Sequence, residues 1–332
     1  SRQKTVESVG WLDELEKQYD DPIAYFTKRV AQLNDEKKKK QAPINFTFYD
    51  SDRLCIGDNL RKNFGYAALS QIYHELGIHT FLINRQRHSK EQYDSNTIMK
   101  MLVYSRLLFP ASKKSSYDSR ERFFENTEYS LDDVYRCLSF LDKHRENLQI
   151  WMNDRIKKIY GRDTSLIYYD VTNYYFETDE QNDFLHKGVC KEHRPNPIIQ
   201  MGLFIDNKGI PITYELFPGN TNDCLTYRPN LGRIKKQFDL GRVITVADKG
   251  MTTGDNIWYT INTPTHDGYV FSMSIRGAEK SLKDYVLKDE GYEWLGTEYK
   301  RKSRKCPRTI QVTSVTGKKI KKQVDEKQVV FW

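Results

Sequence analysis

Two apolar runs in this chain each lead into an aspartate. Leu166-Ile167-Tyr168-Tyr169 is followed by Asp170, and Val243-Ile244-Thr245-Val246-Ala247 is followed by Asp248. Both runs are rich in β-branched or aromatic residues; the first reads as a central strand buried on both faces and the second as another buried strand. A carboxylate in such a place costs several kcal/mol to bury unless it is paired or binds a metal. A strand also gives the rigid mounting that a catalytic group needs. Either aspartate alone would equally suit a strand-end turn cap. The second one, 78 residues on, favours a site, because two such strands can lie side by side and bring their carboxylates together. Without thiolate ligands, that pair suits a hard divalent cation such as Mg²⁺, which takes few protein oxygens and completes its shell with water and phosphate. Two such ions serve phosphodiester chemistry. A carboxylate pair also fits a glycosidase, but the charge balance does not point there.

The elements that must position this pair follow from the pattern around it. After the first strand come the polar hinge 178–183 and the basic loop Cys190-Lys191-Glu192-His193-Arg194-Pro195. Then follow the strand Ile198–Ile205, the turn Asp206-Asn207-Lys208-Gly209 and the strand Ile212–Phe217. Pro218-Gly219-Asn220-Thr221 stops that strand. An amphipathic helix at 225–238 leads to the Asp248 strand, and another helix begins near Thr253. Strand, strand, strand, helix, strand, helix is a mixed α/β order.

Ahead of it, residues 57–162 read as helical. One helix is closed by Gly77, another spans 92–108, a third starts after the cap residue Ser130, and a fourth covers 147–160. Between them Lys113 and Lys114 sit in a polar basic loop of a kind that meets DNA backbones, although a solvated loop reads the same way. Residues 1–56 carry an amphipathic stretch, the run Lys37–Lys40 and a short strand at 44–49. From 266 on, short strands alternate with basic runs that include Lys302 and Arg304.

The 332 residues carry 53 Lys and Arg against 45 Asp and Glu, a net charge of +8, which leans toward a polyanionic partner. Five cysteines without CxxC spacing exclude a zinc site or a disulfide frame of the usual kind. No long apolar run predicts a membrane span, and a cytoplasmic protein is expected.

Tyr168-Tyr169-Asp170-Val171-Thr172, Cys190–Pro195, Phe217-Pro218-Gly219-Asn220-Thr221 and Val246-Ala247-Asp248-Lys249-Gly250-Met251 stand in the order and spacing of the insertion-sequence DDE transposases. The resemblance is to the prokaryotic group with a β-rich insertion between its second and third acids. It covers about 165–255 closely and the flanks only in layout. It implies an RNase H-like core over 163–265, an incomplete β-rich insertion over 266–332, and a DNA-binding helical region over 57–162. It further implies metal-dependent cleavage of transposon-end DNA and joining to a target, with two Mg²⁺ or Mn²⁺ ions. Asp170 would be the first acid and Asp248 the second, both as catalytic residues and metal ligands. Lys249 would lie near a phosphate, and Lys191 and Arg194 would face DNA with Lys113, Lys114, Lys302 and Arg304. The partners would be double-stranded terminal repeats and target DNA, with a homodimer on paired ends and association with the nucleoid.

The family's third acid is a Glu in a Tyr-x2-Arg-x3-Glu-x6-Lys pattern. No such pattern occurs here, so that Glu is expected beyond Trp332. The alternative is a truncated, inactive transposase that acts as a DNA-binding module.

Overall fold

The structure, a computed structural model, describes residues 9–39, 62–188 and 195–332. The chain divides into two compact units, Ser1–Asn59 and Leu60–Trp332. In the first, α1 (Leu12–Leu15) is followed by α2 (Pro22–Lys39). Asp21 caps α2 through the Ala24 amide at 2.9 Å, and Tyr19 stacks on Tyr25 with ring centroids 4.5 Å apart. Lys37–Lys39 continue that helix. The strand expected at 44–49 lies outside the described residues.

The second unit opens with six helices, α3 (Tyr66–Glu75), α4 (Ile78–Gln86), α5 (Ser95–Leu108), α6 (Lys113–Asp118), α7 (Leu131–Lys143) and α8 (Arg145–Tyr160). Gly77 ends α3, but its positive φ of 65° leads straight into α4, a helix the sequence pattern had merged into the connection. Ser130 and Asp133 form a reciprocal capping box on α7. The stretch read as a basic loop is the helix α6. Ser112 accepts a hydrogen bond from the Ser115 amide at 3.2 Å, and that cap outweighs the weak helix propensity of the two serines. Tyr73, Phe81, Leu82, Tyr104, Phe123, Phe140 and Ile156 form the core of this bundle.

The sheet that follows contains β1 (Leu166–Tyr175), β2 (Ile198–Asp206), β3 (Pro211–Pro218), β4 (Ile244–Ala247) and β5 (Gly268–Phe271), in the order β3-β2-β1-β4-β5. Strands β1 to β3 are antiparallel neighbours, whereas β4 runs parallel to both β1 and β5. Helix α9 (Asp223–Phe238) connects β3 to β4, and α10 (Gly254–Ile261) connects β4 to β5. This strand order and direction pattern is the RNase H-like fold. Ile167, Tyr169, Val171 and Phe204 on one sheet face pack against Tyr227, Leu231, Ile234 and Phe238 of α9. Buried apolar area of this kind is the main stabilising term in such a layer.

Beyond β5, α11 (Lys280–Leu287) precedes a second sheet of β6 (Glu293–Leu295), β7 (Tyr299–Thr313) and β8 (Lys319–Phe331). The basic run 300–308, expected as a connection, is strand throughout, paired residue for residue with β8 from Arg301 on. Pro307 is tolerated because β6 flanks β7 only from Tyr299 to Arg301, so no strand pairs with that edge at Pro307. The hairpin is fastened to the core at its far end. Thr313 donates its amide and its hydroxyl to the Asp255 carboxylate at 2.6 and 2.8 Å, and Ile310, Val312 and Val324 bury against Ile257. Among the described residues no helix is long and apolar enough to cross a membrane.

Candidate catalytic site

Strand β1 is central in the sheet yet buried on one face only, which corrects the two-sided burial expected from its sequence. Ile167, Tyr169 and Val171 point into the α9 layer, while Tyr168, Asp170 and Thr172 alternate onto the other, exposed face. The apolar run looked two-sided because Tyr168 supplies an aromatic on the outer face, where it remains 38% exposed.

Tyr169 fixes the strand. Its hydroxyl hydrogen-bonds Thr226 at 2.7 Å, and its ring lies 4.5 Å from Phe204. Burial pushes its phenol up to about 12. The hydroxyl lies over Gly202, where a Cβ would come within 2.2 Å of it, so only glycine leaves room. Asp170 is thus held beside a rigid anchor.

The registry of β1 with β4 runs from Leu166 opposite Ile244 to Tyr169 opposite Ala247. Asp248 keeps an extended backbone (φ −74°, ψ 177°), so the next pair in line is Asp170 and Asp248, both exposed. Residues that continue a parallel register project to the same side of the sheet, and neighbouring strands are about 4.8 Å apart. Asp248 also caps a 3-10 turn at Lys249–Met251, accepting from the Gly250 amide at 2.7 Å. The turn-cap role therefore occupies one oxygen of one aspartate. Asp170 has no hydrogen-bond or ion-pair partner among the described residues.

Two exposed carboxylates side by side, one of them capping a turn, form an oxygen-only donor set that fits Mg²⁺ or Mn²⁺ better than a thiolate-seeking metal. Among the described residues no third Asp, Glu, His or Cys joins them to make a group of three. The late glutamate Glu326 is engaged elsewhere, by the Tyr269 hydroxyl at 2.7 Å and by Arg308.

The basic residues singled out from sequence are dispersed. Lys249 is exposed on the turn beside Asp248. Lys113 is exposed on α6, and Lys114 pairs with Asp118 at 2.8 Å one turn on. Lys302 lies on the inner side of β7, 5% exposed, with its ammonium over the rings of Tyr285 and Tyr292 and donating to the Lys288 carbonyl. Arg304 stacks on Tyr285 at 4.1 Å and donates to Gln328. Packing against α11 thus takes both side chains away from the outer face of the hairpin. Basic side chains turned outward there include Arg301, Lys305, Lys321 and Lys327, with Lys305 directly opposite Lys327. The period of two would have found them had the basic run been read as strand. Lys191 and Arg194 lie outside the described residues.

The turn at Gly219-Asn220-Thr221 closes β3, with the Thr221 amide donating to the Pro218 carbonyl at 2.9 Å. Pro218 pairs with Ile199, which pairs in turn with Tyr174, so the turn stands two strands away from β1. Asn220 is exposed there.

No protein-family model matches the sequence, and no curated protein matches it. Among solved structures, the chain is similar to a piggyBac transposase synaptic complex with hairpin DNA, at 12% identity and a TM-score of 0.36, covering 77% of this chain and 58% of that one. It is similar to the Mos1 transposase paired-end complex with left transposon end, at 14% identity and a TM-score of 0.23 over 55% and 59% of the two chains. The catalytic domain of Mos1 mariner transposase gives 19% identity and a TM-score of 0.22 over 43% and 66%. The chain therefore spans less than two thirds of the length of each of these. The fold assignment rests on strand order and direction.

Proposed function

We propose that this chain carries the DNA-binding region and the first two acids of a DDE-type transposase of an insertion sequence. Its reaction is metal-dependent cleavage of transposon-end DNA followed by strand transfer. The reading rests on one observation, the parallel register that sets Tyr169 of β1 opposite Ala247 of β4, each followed directly by an exposed aspartate, in an RNase H-like sheet. The net charge of +8 and the outward lysines of β7 and β8 agree with a polyanionic substrate.

In this reading Asp170, on β1, and Asp248, directly after β4, hold Mg²⁺ or Mn²⁺, and the buried layer beneath fixes both strands. The ion, when bound, supplies Lewis-acid stabilisation of charge on phosphate oxygens. Lys249, next to Asp248, neutralises a neighbouring phosphate, and Lys113 and the outward hairpin lysines hold the duplex backbone. Cleavage joins a water oxygen to the scissile phosphorus and releases the 3′ oxygen, which leaves as a hydroxyl after taking up a proton. Strand transfer repeats the displacement, with that 3′ hydroxyl attacking a target phosphodiester.

The absence of a third acid beside the pair among the described residues favours a second reading, a DNA-binding module without catalysis. The two are separated by a cleavage assay on DNA that carries the element's own ends, run with the full-length protein. Loss of nicking in Asp170→Ala and Asp248→Ala, with duplex binding retained, supports the transposase. Nicking that survives both substitutions rejects it, and wild-type binding without any nicking supports the module.

A further inference from the structure

A cavity of about 680 Å³ opens in the helical region, between the C-terminal turn of α4, the segment that follows it and one side of α7. It lies in different elements from the aspartate pair and takes no part in the chemistry above. Its wall carries four permanent cations, Arg85, Lys90, Arg136 and Lys143, against a single carboxylate, Glu91. Arg136 shares its charge with Asp133, outside the lining, and Arg85 lies over the Phe81 ring at 5.3 Å. Lys90 and Lys143 have no ion-pair partner among the described residues.

The surplus charge is felt by the groups around it. His144, at the junction of α7 and α8, rests against Phe140 with ring centroids 4.8 Å apart. Burial, then Arg85 and Lys143, hold its imidazolium below the usual histidine value. Like charges gathered in one concavity repel each other unless an anion joins them. Asn84 and Ser139 add neutral polar groups to the same wall. The volume is in the range of pockets that enclose whole small ligands rather than single ions.

We propose that this cavity is a phosphate-binding site, sized for a phosphoester of nucleotide dimensions, supplied either by the backbone of a nucleic-acid strand or by a free phosphorylated compound. Lys143 and Arg85 are its principal charges, reaching in from α7 and α4.

The test uses the full chain with Lys143→Glu and Arg85→Glu. Lys157→Glu, on the exposed side of α8 and outside the cavity, is the control for equal charge change. Binding of a labelled DNA duplex is followed by anisotropy across a salt series, and binding of inorganic pyrophosphate by calorimetry. Circular dichroism checks that each variant folds, and Lys143→Gln replaces any that does not. A backbone site predicts that each cavity variant weakens duplex binding by about three- to tenfold and lowers the salt slope by about one, whereas Lys157→Glu does neither. A site for free phosphorylated compounds predicts pyrophosphate binding that the cavity variants lose and the control keeps. The proposal is overturned if the cavity variants match Lys157→Glu in both assays. Asp170→Asn distinguishes this result from a failure of the transposase reading, because it removes cleavage while leaving the cavity's binding unchanged.

Discussion

Neutralising one aspartate of the pair should stabilise the metal-free protein and abolish its response to divalent metal. Asp170 follows Tyr169 on β1 and Asp248 follows Ala247 at the end of β4, the last pair of the register, and both are exposed. At a strand spacing of about 4.8 Å, Coulomb's law gives about 1–3 kcal/mol of repulsion between effective dielectric constants of 80 and 20. Solvent screening of exposed charges reduces this to about 0.5–1 kcal/mol. Asp170→Asn relieves the repulsion, raising Tm by about 1–3 °C for a protein of this size. Asp248→Asn relieves the same repulsion but weakens the cap on Gly250, so its gain is smaller. The double substitution should give less than the sum of the two, since a single repulsion can be relieved only once. Mg²⁺ at ten times its dissociation constant should stabilise the wild type by about 1.4 kcal/mol. Both single variants should lose that increment. Scanning calorimetry with EDTA, Mg²⁺ and Mn²⁺ measures all of these. Additive effects of the two substitutions, together with a metal increment that persists in both, would refute the argument that the two carboxylates share one site.

Other substitutions test the scaffold around the pair. Asp267 is buried and holds Lys235 at 2.7 Å together with the Val243 amide at 2.9 Å, so Asp267→Ala leaves a half-buried ammonium unpaired and should cost about 3–5 kcal/mol in urea unfolding. Burial opposes the Asp255 charge, but the Thr313 amide and hydroxyl, then Lys319 and Arg228, outweigh it and hold its carboxyl below the ordinary 3.8. Its folded value being lowered, its contribution is complete above 3.8 and drains away as pH falls through the lower folded value, so hydrogen exchange at Thr313 should speed up there in wild type and at every pH in Asp255→Ala. Gly219→Ala would set a Cβ 2.0 Å from the Ile198 carbonyl, and overpacking against backbone should cost about 1–3 kcal/mol by the same unfolding measurement. On the hairpin, Lys305→Ala should lower the salt slope of duplex binding by about one, whereas Lys302→Ala should reduce Tm and leave the slope alone.

What the sequence disclosed depended on whether a signal was local. The strands and helices from β1 to α10 were legible because each has an apolar or periodic signal and a recognisable stop, although the one-faced burial of β1 was not. The caps at Ser130 and Thr253, and the turn at Gly219, are written in a few adjacent residues. Helix α4 was missed because Gly77 usually signals an exit, and nothing adjacent says that a second helix resumes one residue later. The strand character of 299–308 was hidden by its charge. Lysine and arginine lower the apolar signal, although their aliphatic stems and cationic heads pack on Tyr285 and Tyr292 as a hydrophobic strand would.

The candidate site divides in the same way. That Asp170 and Asp248 both follow apolar strands is a local fact, and the sequence carries it. That the residues just before them, Tyr169 and Ala247, lie opposite each other is not local, because it depends on β4 joining β1 in parallel after α9 has crossed the sheet. The right-handed crossover rule makes such an arrangement the expected one for a strand–helix–strand connection, but it does not select the register. Register here comes from the inner face. Tyr169 needs Gly202 beneath its hydroxyl and Thr226 beside it, and Ala247 is small enough to lie opposite Tyr169 under α9. A slip by one residue would turn every inward side chain to solvent. The packing that stabilises the fold therefore also aligns the two carboxylates, and Gly202→Val should disturb their shared metal response although it touches neither of them.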